Sequence, residues 1–313
     1  MASILVEDIS KKYIVGKGKS ESETIALHPT SFSVDKGELF GCIGPDGAGK
    51  TTLIRIMATL IVPDTGRVTI EGFDAIKDYA AIRHRIGYMP GRFSLYQDLS
   101  VEENLRFFAT IFKTSIDENM HLIYDIYRQL EPFANRPAGK LSGGMKQKLA
   151  LCCAMIHKPD VLFLDEPTTG VDAVSRKEFW DMLQRLRDQG ITIFVSTPYM
   201  DEASLCDRVA LMQNGAFLRI DKPAKIISSY DKRLLAVKGP DMYQLLHHLK
   251  SNPQIENAYP FGEYHHVVLH QDATLEQTGL AAMHGLEVKD AEVDIEDCFI
   301  MAMRQQTMEG HAK

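Results

Sequence analysis

The segment Gly44-Pro45-Asp46-Gly47-Ala48-Gly49-Lys50-Thr51 constrains this chain more than any other. It fits the pattern G-x-x-x-x-G-K-[ST], follows the short apolar run ELFGCIG (38–44) and opens the helical pattern TTLIRIMATL (51–60). Strand, glycine turn and helix in that order are the context in which the pattern has physical meaning. Gly44, Gly47 and Gly49 let the backbone curl so that its N–H groups converge on phosphate, and the helix start near Gly49 adds the positive end of its dipole. Lys50 is predicted to reach the β- and γ-phosphates, the Thr51 hydroxyl to bind Mg²⁺, and Thr52 to contact an α-phosphate oxygen.

A second element agrees with the first. Val161-Leu162-Phe163-Leu164 reads as a buried strand, and Asp165 and Glu166 follow it. Asp165 at the strand's end is predicted to hold Mg²⁺ through water, and Glu166 to polarise an attacking water. ITIFVS (191–196) reads as another strand. The helix SRKEFWDMLQRLRDQG (175–190) lies between the two and stops at Gly190. Apolar strands alternating with helices predict an α/β fold, its parallel sheet covered on both faces.

From about 90 to 158 the pattern is helical. Ser100-x-x-Glu103 forms a capping box, HLIYDIYRQL follows, and a third helix starts near Gly143. Near Tyr230 the order becomes β-α-β-β-α-β and closes with the helix DIEDCFIMAMRQQTM, a ferredoxin-like α+β arrangement. The boundaries read from sequence are 1–230 and 231–313, and GKGKSESET (16–24) reads as an exposed loop.

With 313 residues the chain suits about two domains. A net charge of −7 disfavours a nucleic-acid-binding surface, so no nucleic-acid partner is expected. The longest apolar stretch, Leu149 to Ile156, is far short of the roughly 20 residues a membrane helix needs. No basic segment followed by an apolar one opens the chain, so no secretory signal is expected. Cys42, Cys152, Cys153, Cys206 and Cys298 show no metal-ligand spacing and are predicted to be reduced, buried thiols in the cytosol. His247, His248, His265, His266 and His270 cluster in the second domain. Neighbouring histidines on a strand point to opposite faces, and no cysteine or carboxylate partner is evident in sequence.

Between the two phosphate elements stands Leu141-Ser142-Gly143-Gly144-Met145, with Gln147 after it. This run resembles the signature of ATP-binding-cassette (ABC) ATPases, and the resemblance covers roughly residues 3–230. It implies a P-loop NTPase cassette: a RecA-like mixed sheet core with a helical subdomain, binding ATP with Mg²⁺. It also implies that Ser142, Gly143 and Gly144 present N–H groups and a hydroxyl to a γ-phosphate held by the Walker A loop of a partner, so that ATP is sandwiched between two chains. Thr169-Gly170-Val171-Asp172 resembles the D-loop, which places Asp172 at the dimer seam. Tyr13 resembles the aromatic residue that stacks on adenine.

Two positions depart from the family pattern. The Q-loop glutamine that should follow Tyr88-Met89-Pro90 is Gly91, and the switch histidine that should follow Val195-Ser196-Thr197 is Pro198. Gly91 offers no side chain, and Pro198 offers neither an imidazole nor an N–H. Losing one well-placed polar group at a transition state costs roughly 10²–10³ in rate. The resemblance with these losses implies an ATPase whose own site turns over weakly and which pairs with a different cassette, a homodimer being the other arrangement. A non-hydrolysing nucleotide-binding regulator is the alternative. The stretch from Ser94 to Leu105 resembles the helical-subdomain entry of export-type ABC ATPases, and the tail (234–308), with its closing Asp294–Phe299 motif, resembles a small C-terminal domain of the ABC-2, drug- and polysaccharide-exporter-like branch. That implies separate membrane permease subunits, a place on the cytoplasmic face of the membrane, and a groove lined by Phe93, Leu95, Tyr96 and Leu99 for a permease helix.

Overall fold

A computed structural model describes residues 2–15, 21–270, 273–280, 283 and 285–311. These fall into two compact units, one running through Pro223 and taking in the last helix from Ala302, the other Ala224–Met301. The 16–24 loop lies partly outside the described residues, and its last three residues belong to a strand that begins at Ser22.

The first unit opens with β1 (Ala2–Val15), β2 (Ser22–Asp35), β3 (Leu39–Ile43), α1 (Lys50–Met57), β4 (Thr65–Ile70), β5 (Phe73–Asp74), α2 (Tyr79–Arg83) and β6 (Ile86–Met89). Three helices follow without an intervening strand: α3 (Val101–Ile111), α4 (Ile116–Tyr127) and α5 (Gly143–Met155). Then come β7 (Val161–Asp165), α6 (Ala173–Asp188), β8 (Thr192–Thr197), β9 (Arg208–Gln213) and β10 (Ala216–Asp221); α7 (Pro223–Ser228) begins at the boundary and belongs, after its first residue, to the second unit.

Six strands form the central sheet in the order β10-β9-β3-β8-β7-β6. All pair in parallel except β10, which runs antiparallel to β9. Every residue of β3, β7 and β8 is buried, as strands covered on both faces require. The sheet is therefore mixed, with one antiparallel edge. Phe40, Phe163 and Phe194 meet at its centre, Phe40 and Phe194 stacked at 5.5 Å. A second sheet, β2-β1-β4-β5, is wholly antiparallel. It packs Ile4, Val6, Ile9, Val34 and Val68 into the same core as α1.

Helix starts follow local chemistry. Ser100 caps α3 with a reciprocal Glu103 contact. Ser115 caps α4, Ser142 caps α5 and Asp172 caps α6. Helix α1 is shorter than its pattern suggested, because it ends at Met57 and Thr59 takes φ +60.

The second unit contains β11 (Leu234–Lys238), α8 (Met242–Ser251), β12 (Ile255–Phe261), β13 (Tyr264–Leu269), α9 (Leu275–Thr278), β14 (Glu287–Asp290) and the start of α10 (Ile295–His311). Its antiparallel sheet has the order β12-β13-β11-β14, the ferredoxin-like arrangement. Helix α9 is one turn long, stopped by Gly279 at φ +72. Residues 281, 282 and 284 lie outside the described residues.

His265 and His266 do point to opposite faces of β13. His265 Nε2 donates to the Met242 carbonyl at 2.7 Å, while His266 Nδ1 meets Asp297 Oδ1 at 2.7 Å. The carboxylate partner that sequence did not reveal is thus Asp297. It also accepts from the Tyr259 hydroxyl at 2.7 Å and the Asp294 N–H at 2.9 Å. Burial pushes the Asp297 carboxyl up, but the bonds from His266, Asp294 and Tyr259 outweigh it and hold the group below the usual range. Asp297 lies in the first turn of α10, so these bonds fasten that helix to the sheet face opposite α8.

Candidate nucleotide site

Strand β3 ends at Ile43 and delivers Gly44 into the turn that precedes α1. The Gly44 N–H donates to the Thr197 carbonyl at 3.3 Å, tying the turn to the end of β8. A Cβ at Gly44 would stand 2.1 Å from the Met212 carbonyl oxygen, and one at Gly49 would stand 2.5 Å from that of Ala26. Gly49 also takes φ +108, open to glycine alone among common residues. Pro45, Asp46 and Gly47 form the outer rim, and the Ala48 N–H returns to the Pro45 carbonyl at 3.2 Å.

Lys50 is 3% exposed. Its Nζ donates to the carbonyls of Gly44 (2.8 Å) and Pro45 (3.0 Å) and pairs with Glu166 Oε1 at 3.1 Å. The Thr51 hydroxyl donates to Asp165 Oδ1 at 3.0 Å, and the Ser196 hydroxyl donates to the same oxygen at 2.8 Å. Glu166 takes φ +49, and its N–H is held by both the carbonyl and the hydroxyl of Ser196, at 3.1 and 3.0 Å. Lys50, Thr51, Asp165 and Glu166 are therefore brought together at the C-terminal end of the parallel strands. A hydroxyl beside a carboxylate is an all-oxygen donor set that fits a hard divalent cation. Thr52 lies half-buried in the first turn of α1.

The other sequence candidates fall in three places. A Cβ at Gly91 would lie 3.0 Å from the Asp165 carbonyl, so this position adjoins the acidic strand end, and it carries no side chain to offer. Pro198 follows β8 directly. Gln97 packs against Gly139, whose N–H donates to its carbonyl at 2.8 Å.

Leu141 is buried beneath the start of α5, while Ser142 and Gly143 are exposed and Met145 and Gln147 are half-buried. Gly144 is buried against Ser175 of α6, where a Cβ would stand 2.6 Å from Oγ. Asp172 is exposed and accepts from the N–H groups of Ser175 (2.9 Å) and Val174 (3.1 Å); the Ser175 bond leads in holding its carboxyl below the usual range. Tyr13 lies on the antiparallel sheet opposite Thr24, 37% exposed, with Lys11 Nζ 5.9 Å from its ring centre.

Ser196, which holds both Asp165 and Glu166, carried no clear sequence signal, because it stands in a run that reads only as a buried strand. The structure also holds an apolar groove of about 650 Å³ between the sheet core and the helical insert, lined by Leu60, Met89, Leu95, Phe108 and Ile111 among others. Of the four groove residues expected from sequence, only Leu95 lines it. Phe93 sits 5.5 Å from Lys146 Nζ, and Tyr96 packs edge-on against Phe107 at 4.7 Å. His157 closes one end, stacked on Phe112 at 3.7 Å, and burial lowers its pKa to about 4.

A glycine turn gripping a helix start, with an acidic strand end facing it, defines the class of P-loop nucleotide-binding folds. Residues 27–169 match the family model described as ABC transporter. The chain is 38% identical over 280 residues to the Escherichia coli protein named "Probable multidrug ABC transporter ATP-binding protein YbhF", covering 88% of this chain and 48% of that protein. It thus spans about half the length of that relative. It is 35% identical over 245 residues to the Nod factor export ATP-binding protein I of Burkholderia orbicola, covering 77% of this chain and 78% of that one. A solved structure of a dimeric ATP-binding cassette in a post-hydrolysis state, bound to ADP and Pi, superposes with a TM-score of 0.63 at 26% identity, over 70% of this chain and 98% of that one. The chain belongs to the ATP-binding proteins of ABC transporters.

Proposed function

We propose that this chain is the ATP-binding subunit of an ABC exporter, that its own phosphate cradle turns ATP over weakly, and that its signature segment completes a site on a different cassette. The observation that carries this reading is the contrast around Asp165. Thr51, Asp165 and Glu166 stand together, whereas the two flanking positions, Gly91 and Pro198, bring no polar side chain.

In this reading Lys50 Nζ exchanges Glu166 for the β- and γ-phosphate oxygens, and the N–H groups of 47–52 cradle the phosphates. Freed of Lys50, the Glu166 carboxylate orients and deprotonates the attacking water. Thr51 and Asp165 would hold Mg²⁺, which when bound neutralises charge developing on the phosphates. Nothing at 91 or 198 helps hold the water or the third phosphate, so the barrier stays high. Ser142 and Gly143 at the start of α5 are exposed and would meet a γ-phosphate gripped by a partner cassette. The ADP and phosphate in the related dimeric cassette and the export function in the name of the B. orbicola relative support the assignment. The apolar groove beside Leu95 would receive a helix of the permease. Among the described residues no helix is long and apolar enough to cross a membrane, which fits a permease supplied by another chain.

The losses at 91 and 198 also favour a second reading, a nucleotide-binding regulator without turnover. One experiment separates the two. ATPase activity is measured for the purified chain alone and then with candidate cassettes and permeases from neighbouring reading frames. The exporter reading predicts slow turnover alone and a large gain with the right partner, the gain being lost in Ser142→Arg. Brisk turnover by the isolated chain, abolished by Glu166→Gln, would overturn the weak-site proposal. No turnover in any assembly would favour the regulator.

A further inference from the structure

Glu202 is a carboxylate only 2% exposed, in the short 3-10 turn Met200–Leu205. Both of its oxygens are engaged by buried threonines. Oε1 accepts from the Thr168 hydroxyl at 2.8 Å, and Oε2 accepts from the Thr197 hydroxyl. The nearest cation, Arg176 Nε, stands 3.9 Å away. That guanidinium is otherwise engaged, bonded to Asp201 at 2.9 Å and lying 5.0 Å from the Tyr199 ring centre. Burying a carboxyl group is costly unless hydrogen bonds compensate it, so its place here calls for a reason.

The reason lies in which segments its partners belong to. Thr197 ends β8 and precedes Pro198. Its carbonyl accepts from the Gly44 N–H, and its hydroxyl accepts from the Tyr199 N–H at 3.0 Å. Thr168 stands two residues beyond Glu166, and its carbonyl accepts from the Val171 N–H at 3.2 Å in the turn leading to Asp172. Arg176 belongs to the first turns of α6, which Asp172 caps. One side chain thus ties the loop after β8 to the turn after β7, with α6 leaning on the pair. These two connections flank Asp165 and Glu166. Because Pro198 brings no donor of its own, the setting of its loop against the cradle falls to the bonds on either side of it.

We propose that Glu202 is a positioning residue for triphosphate recognition, clamping the 197–199 loop to the 166–168 turn so that Glu166 and Lys50 meet a third phosphate in register. The proposal rests on the reading that 44–52 binds ATP. A diphosphate, which does not extend to this edge of the cradle, is indifferent to the clamp.

The test uses the full chain and two probes, Mg·ADP and a Mg-bound non-hydrolysable ATP analogue, with affinities measured by calorimetry and thermal melting as a fold check. Glu202→Ala is expected to weaken the analogue about tenfold or more while ADP affinity stays within about twofold. Glu202→Gln keeps one accepting oxygen but can only donate from its amide nitrogen at the other threonine, reversing that bond, and falls between Ala and wild type. If Ala fails to fold, Gln alone must still show the selective loss. Equal loss for both nucleotides, or loss of neither, would overturn the clamp. Failure of the wild-type chain to bind ADP would overturn the ATP reading itself, and this proposal with it.

Discussion

The phosphate cradle and the signature segment use one device, the amino-terminal end of a helix behind a glycine turn, and build it in opposite ways. In the cradle nearly every polar group is already engaged within the chain: Lys50 by two carbonyls and Glu166, and Asp165 by Thr51 and Ser196. Backbone oxygens crowd Gly44 and Gly49 so closely that no side chain fits. At the signature, Ser142 and Gly143 are exposed, and a Cβ at Gly143 would meet only an ordinary contact, 3.6 Å from the Gly170 carbonyl. The first is an enclosed grip whose internal bonds, on the proposed reading, would be exchanged for phosphate. The second is an open face, with Ser142 and Gly143 exposed, that on the proposed reading would meet a nucleotide from outside. In the proposed reading a single chain therefore carries two half-sites of different character.

Substitutions at the glycines break that comparison most forcefully. Gly44→Ala drives a methyl into the Met212 carbonyl, so the turn must move. Nucleotide affinity should fall about 100-fold or more, with roughly 1–3 kcal/mol lost in denaturant unfolding. Gly143→Ala, by contrast, should leave unfolding within about 0.5 kcal/mol of wild type. Similar losses at both positions would erase the distinction between grip and face.

An intermediate effect comes from the buried root of the signature. Gly144→Ala presses on Ser175 and should cost roughly 1–3 kcal/mol without changing nucleotide affinity of the isolated chain. Calorimetric binding beside a denaturant melt checks both halves.

The groove behind the signature helix gives a pH signature. Burial disfavours the charged ring of His157 and, with nearby His84, outweighs the bond from its Nε2 to the Ile86 carbonyl at 2.9 Å, so the pKa falls to about 4, against an unfolded value near 6.5. A depressed pKa means the unfolded chain binds the proton first. The stability this group contributes is whole above pH 6.5 and is lost as pH drops toward 4. The loss is on the order of 3 kcal/mol. His157→Phe should flatten that part of the pH–stability curve, and an unchanged slope would contradict the assignment.

The smallest effect concerns the strand that feeds the cradle. Burial pushes the Cys42 thiol up to about 12, so at pH 8 only about one in 10⁴ is thiolate. Iodoacetamide should leave Cys42 unmodified in the folded chain and modify it after unfolding, as peptide mapping would read.

Legibility from sequence followed how local the physics is. Gly44–Thr52, Asp165–Glu166 and the start at Ser142 are written in contiguous residues because backbone curl, strand ends and helix caps are local events. The antiparallel sheet was not legible. Strand β1 breaks its own alternation at Asp8, where φ is +49, and pairs with β4 about sixty residues later. The clamp at Glu202 and the Asp297 bonds to His266 and Tyr259 join elements that only tertiary packing brings together. Helix α1 ended early for a similar reason: the chain turns back at Thr59, and the Thr59 hydroxyl takes a bond from Arg83 at 2.9 Å.

The most direct test of two half-sites serving different nucleotides is the equilibrium affinity of the isolated chain for Mg·ATP, compared between Lys50→Ala and Ser142→Arg. The account predicts that Lys50→Ala abolishes measurable binding while Ser142→Arg binds within about twofold of wild type. Equal loss in both variants would mean that the cradle and the signature close on one nucleotide within a single chain, and would contradict it.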